Sequence, residues 1–209
     1  MNPNKTKYLL PTPAGAYYFA QENSNCWQRD ILAKLFSQPK TPPLSNATLM
    51  DLFESNDKDT INKKINDCEA LKIIQVVDQE VTAPVGDLVN NIKTIISVFS
   101  KNGKVLLSDS QGFSITNVGF PDNMIEEISV LSADIAIMHK RRAVEINKNL
   151  GLTSQAWSIV DASGNSCLGF WPININQEVF VLAIEGTPFF NHPSIVTLVW
   201  ILYLRYGLK

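Results

Sequence analysis

Two histidines, three cysteines and a few adjacent carboxylates are the side chains among which catalytic or metal-binding chemistry would first be sought in this chain. A Ser-His-Asp or metal-histidine constellation needs a base held in place by a third group. His192 directly precedes Pro193, which suits a helix cap. His139 lies in the run His139-Lys140-Arg141-Arg142, expected on the solvated face of a long helix. Cys26, Cys68 and Cys167 are odd in number, far apart and never a C-x-x-C pair, so they signal neither a disulfide framework nor a zinc site. Cys167 falls in an expected strand and reads as a small buried hydrophobe. The stretch from Gly164 to Gly169 has the glycine spacing of a phosphate loop but lacks its lysine. Glu126-Glu127 sits at a helix start, where carboxylates suit the helix dipole. No catalytic residue, cofactor or metal ligand is therefore assigned, and the chain reads as a non-enzyme.

Bulk numbers agree with a folded binding protein. Of 209 residues 45% are apolar and 18% charged, enough to build cores and too little charge for a disordered chain. The net charge is −2, and cutting at Pro84 leaves 9 basic and 10 acidic residues on either side. Neither part has the concentrated positive charge that phosphate contact requires. The apolar run near the N-terminus is broken by Pro11 and Pro13 before it reaches signal-peptide length. The stretch 195–204 is half the roughly 20 residues needed to span a bilayer, so no membrane span is expected. Unpaired cysteines and the missing signal point to a cytoplasmic setting.

The elements that would position any site fall into two parts, 1–84 and 85–209. In the first, 26–36 carries the stripe Trp27, Ile31, Leu32, Leu35, Phe36 of an amphipathic helix, and 45–54 reads as a second helix. A third starts at the N-cap Asp57 and runs through Ile61, Ile65 and Cys68. A hairpin of 73–77 with 81–83 is expected to follow. Three helices and a hairpin resemble a winged-helix domain, with Glu69-Ala70-Leu71-Lys72-Ile73-Ile74 similar to its helix-to-wing passage. That resemblance would place Lys58, Lys63 and Lys64 on a DNA-reading helix. Asp57, Asp59, Asp67 and Glu69 on the same helix oppose phosphate contact, so a docking or purely structural role stays open.

After Pro84, Leu88, Ile92, Ile95, Ile96 and Phe99 line one face of a helix that stops before Gly103. Strands at 105–108 and 113–118 are joined by Asp109-Ser110-Gln111-Gly112, and strands at 157–160 and 167–171 by Asp161-Ala162-Ser163-Gly164. In both turns Asp holds the turn amides and Gly accepts positive φ. Between them Asn123 and Glu126 suggest a capping box opening a helix that runs to Gly151, with Ile128, Leu131, Ile135, Met138 and Ile146 as its buried face. A strand at 179–184 and a helix begun by Pro193 complete the order α-β-β-α-β-β-β-α.

Residues 103–113, then Gly119-Phe120 and the helix from Ile125, resemble the roadblock family of dynein light chains and their bacterial relatives, a longin/profilin-like fold. The resemblance covers about 85–209, with its motif in 103–136. It implies an α+β fold, here a winged-helix-like domain (1–84) followed by a roadblock-like domain (85–209) with a five-stranded antiparallel sheet covered by helices. It also implies a non-catalytic scaffold or regulatory adaptor that forms a homodimer and docks a protein, plausibly a small Ras-like GTPase. The alternative is a DNA-binding regulator that dimerises through its second domain. Ile135, Met138 and Arg142 of the long helix and Trp157 and Ile159 of the next strand are the expected dimer contacts. The last helix is apolar around its whole girth, more than one sheet face can cover. Either the first domain packs on it, or Val199, Trp200 and Tyr203 form a partner surface.

Overall fold

The computed structural model describes residues 6–21, 26–86 and 88–207. The element order is β1 (Tyr8–Pro11), α1 (Pro13–Ala20), α2 (Trp27–Ser37), α3 (Asn46–Phe53), α4 (Lys58–Ala70), β2 (Ile74–Val77), α5 (Leu88–Ile96), β3 (Val105–Asp109), β4 (Ser114–Val118), α6 (Asp122–Leu150), β5 (Trp157–Val160), β6 (Ser166–Ile175), β7 (Glu178–Glu185) and α7 (Pro193–Leu202). The fold is α+β, and from α5 onward the expected order α-β-β-α-β-β-β-α is present. Five antiparallel strands form one sheet in the order β4-β3-β7-β6-β5.

Local chemistry accounts for the boundaries. Ser45 caps α3 by accepting Thr48 N–H at 3.2 Å, and Asp57 caps α4 by accepting Thr60 N–H at 3.1 Å. Asp109 Oδ1 accepts Gln111 and Phe113 N–H at 2.9 Å each, and Asp161 Oδ1 repeats the device with Ser163 and Asn165 at 2.8 and 3.0 Å. Gly112 and Gly164 take the positive φ, 86° and 84°, that both turns require. The long helix starts two residues earlier than the capping box would have it. Pro121 is its N-cap, with no side-chain bond, and Asn123 lies inside the helix.

The sheet is covered on both faces. Val105, Leu107, Ile173, Ile175, Leu182 and Ile184 face α5, α7 and the N-terminal helices. Leu106, Phe170, Val181 and Ala183 face α6. The expected core face of α6 is corrected. Only Ile128 of that set is fully buried, while Ser129, Ser132 and Ala133 take the places against the sheet. Small side chains let the helix axis come close to β3, and this rolls Leu131 and Met138 outward to 39% and 37% exposure.

The first part departs from the winged-helix expectation at its strands. Residues 81–83 do not return along β2. Instead β1, an element the sequence did not suggest, pairs antiparallel with β2 from Tyr8↔Val77 to Pro11↔Ile74. Thr82 bridges to Lys40 and Tyr8 to Pro43, so β1 sits where the hairpin partner was expected. Pro11 and Pro13 hid both β1 and α1. Pro11 ends the strand at its last residue, and Pro13 occupies the first helical position, where its missing N–H costs nothing.

Helix α1 joins the two parts of the chain. It packs on α7, α2 and β6, and one continuous apolar core runs from Leu9, Phe19 and Phe36 to Leu182 and Tyr203. This overturns the partner-surface assignment for α7: Val199, Trp200 and Tyr203 are 0%, 3% and 7% exposed. Trp200 Nε1 donates to Gln38 O at 2.8 Å, and Tyr203 lies edge-on to Phe19 with centroids 5.4 Å apart. The N-terminal helices supply the cover that the apolar girth of α7 demanded.

Candidate functional site

The expected contact residues converge on one ledge where α6 passes β5. Ile135, Met138 and Arg142 recur at i, i+3 and i+7, one stripe of a helix with 3.6 residues per turn, and Leu131, expected in the core, extends that stripe by a turn. In the sheet Trp157 is opposite Phe170 and Ile159 opposite Leu168. Cross-strand partners share a face, and Phe170 and Leu168 belong to the α6 side, so Trp157 and Ile159 point there too. Trp157 is 38% and Ile159 54% exposed, and Ile135 is half-buried. Among the described residues β5 pairs only with β6, and none of them covers its other edge as a strand. Arg142 reaches Glu145 at 4.0 Å, with both side chains more than 60% exposed, a pair that adds little stability.

His139 belongs to this site and not to a solvated face. It is 6% exposed, and its Nδ1 accepts the Trp157 indole N–H at 3.0 Å with the rings edge-on at 6.1 Å. The run of charges that follows it in the sequence disguised one buried member, since Lys140, Arg141 and Arg142 are all exposed. His192 is the cap its position suggested: its Nδ1 accepts Ser194 N–H at 3.1 Å at the start of α7.

The other candidate groups are scattered. Lys58 and Lys63 are exposed on α4, whereas Lys64 turns inward, donating to Phe53 O at 3.2 Å with its ammonium 5.6 Å from the Trp27 ring centroid. Gly164 belongs to the β5–β6 turn and Gly169 to the middle of β6, so the phosphate-loop spacing reflects a hairpin. Cys167 is exposed near the outer end of β6, which corrects its reading as a buried hydrophobe. Cys68 is buried, and desolvation pushes its thiol up to about 11. Tyr18 lies 3.1 Å from Cys26 Sγ, and that hydrogen bond with partial burial pushes its phenol up to about 12. Among the described residues no group of three or more His, Cys, Asp or Glu could hold a metal, and no helix is long and apolar enough to cross a membrane.

A buried polar cluster beside α6 had no counterpart among the sequence motifs. Asn174 Nδ2 donates to Ala20 O at 3.0 Å and to Gln155 Oε1 at 2.8 Å. Asn174 and Gln155 are 6% and 5% exposed, so α1, β6 and the segment before β5 are joined by buried hydrogen bonds. Isolated asparagine and glutamine carry no pattern that marks them as buried.

No family model and no curated protein matches the chain. Among solved structures the chain is similar to a roadblock domain. This is the crystal structure of a Roadblock/LC7 domain from Streptomyces avermitilis, at 6% identity and a TM-score of 0.38, with 57% of this chain and 93% of that one covered. The chain is also similar to Myxococcus xanthus MglB, at 14% identity and a TM-score of 0.35, over 58% of this chain and 88% of that one.

Proposed function

We propose that this chain is a non-catalytic adaptor that self-associates through the α6–β5 ledge and docks a protein partner. The observation that supports this reading is the apolar ledge of Leu131, Met138, Trp157 and Ile159 beside an unpaired strand edge. An open edge flanked by apolar side chains is a template for pairing with another chain, and proteins normally cover or pair it. A second copy can do so symmetrically, with β5 meeting β5 and α6 meeting α6. A small Ras-like GTPase is the partner class that the roadblock resemblance of 103–136 implies, and a cytoplasmic setting goes with it.

Light scattering at micromolar concentration tests the first half. The expected mass is twice the 23.3 kDa of one chain, and Ile135→Asp should return it to that of one chain while the circular dichroism spectrum is kept. A single-chain mass for the unaltered protein overturns the reading. The second half is tested by titrating Ras-like GTPases of the source organism, loaded with GDP or GTP, against the full chain. Binding to neither loaded form would remove them as partners.

A further inference from the structure

The other side of α6 holds a groove that the ledge does not use. Lys140, Val144 and Asn147 lie roughly half a turn around the helix from the Ile135–Met138 stripe. With the segment that follows Gly151 they line a groove of about 540 Å³, and at its head a pocket of about 270 Å³ opens between α6 and the ends of β6 and β7. His139, Lys140 and Gln155 line both, so the two spaces are adjacent.

Its walls mix apolar and polar side chains, and its charged members are positive. Ile137, Val144 and Leu152 are 50%, 78% and 57% exposed along it. Lys140 and Lys148 line it and, among the described lining residues, no carboxylate does, in a chain whose net charge is −2. Lys140 and Lys148 make no ion pair among the described residues. In the pocket both amide hydrogens of Asn174 are committed within the chain, so toward a ligand Asn174 can only accept.

We propose that this groove docks a short, extended, acidic segment of a partner protein, with one hydrogen-bond-donating side chain anchored in the pocket. Lys140 and Lys148 are eight residues apart, about 12 Å along the helix, which four residues of extended chain span. Carboxylates of the segment would meet cations that lack an internal partner, and its apolar atoms would cover Val144 and Leu152. A nucleic-acid strand fits less well. A strand-binding groove uses broad aromatic stacking platforms, and among the described residues no Phe, Tyr or Trp lines either space, where the only aromatic ring is that of the 6% exposed His139.

The proposal deepens the adaptor reading and rests on it, yet fails separately. Selection of displayed random 12-residue peptides on the full chain should enrich sequences rich in Asp and Glu. A fluorescently labelled selected peptide should bind at least tenfold more weakly to the K140E/K148E double variant. It should also weaken steeply between 50 and 500 mM salt. Both substitutions are at exposed positions, so the thermal melt should be unchanged, and self-association measured on the same samples should persist. Selection of peptides without net negative charge, equal binding by the double variant, or binding of polyuridylate in place of any peptide overturns the proposal. Loss of the dimer in the unaltered chain would instead count against the adaptor reading.

Discussion

Trp157 donates its indole N–H to His139 Nδ1 across 3.0 Å, tying the outermost strand of the sheet to the middle of the longest helix. β5 has all four of its residues exposed, so this bond, with its pairing to β6, fixes where its edge lies. The bond requires Nδ1 to be the unprotonated nitrogen of the ring.

His139→Ala should therefore loosen β5 while leaving the sheet intact. One hydrogen bond to a half-exposed indole is worth about 1 kcal/mol, or roughly 2 to 4 °C in a chain of this size. The emission of Trp157 should shift to the red and self-association should weaken. An unchanged melt, emission and mass would show that the bond does not position the strand.

The buried girth of α7 gives a larger effect. Val199→Ser with Tyr203→Ser places a small polar group and a void in the core beneath α1 and α2, at sites 0% and 7% exposed. Losses of about 2 kcal/mol or more at each position should lower the melting temperature by roughly 10 °C. Stability kept after both changes would mean that the N-terminal helices do not cover α7 in solution.

At Gly15 the backbone of α1 passes close against the backbone of Ile73. A Cβ built there would lie 2.0 Å from the carbonyl oxygen of Ile73, a backbone atom with no freedom to yield. The same stretch is pinned by Thr12, whose N–H donates to Ile73 O at 3.0 Å and whose hydroxyl donates to Lys72 O. Gly15→Ala should destabilise by about 3 kcal/mol or more, the scale of overpacking against rigid backbone. A melt within 2 °C of the unaltered chain would refute the close approach.

The cysteines should separate by reactivity. Cys167 is exposed and should react with a thiol reagent at once at pH 8. Cys68 is buried, and its pKa of about 11 leaves little thiolate at that pH. It should react only on unfolding, and raising the pH of the folded protein toward 10 should accelerate it slowly. Rapid labelling of two equivalents including Cys68 in the native state would contradict the packing of α4.

What could be read from the residues follows from how locally each signal is written. The two Asp-x-x-Gly turns, the caps Asp57 and His192, and the period of α5 are set by neighbours within a few positions, and all were legible. β1 was not, because its partner β2 lies more than sixty residues away and its own four residues end in proline. The core face of α6 was misjudged for a different reason. Apolar content marks a residue as able to be buried, but the sheet chose Ser129, Ser132 and Ala133 for their size. That same choice left Leu131 and Met138 outside, which brings the expected contact residues of α6 and β5 to one surface. His139, Gln155 and Asn174 were missed because a buried polar side chain is defined by its partner, and no single sequence states the partner.

The packing of the N-terminal helices on α7 also bears on how the chain is made. Gln38 and its partner Trp200 are separated by 162 residues, and at about 5 to 20 residues per second the ribosome needs on the order of 10 to 30 seconds to cross that distance. Throughout that interval Phe19, Phe36 and the rest of the N-terminal apolar surface have emerged without the helix that closes over them. Such a nascent chain is a natural client for a holding chaperone, and slowing its synthesis would lengthen its exposure to aggregation.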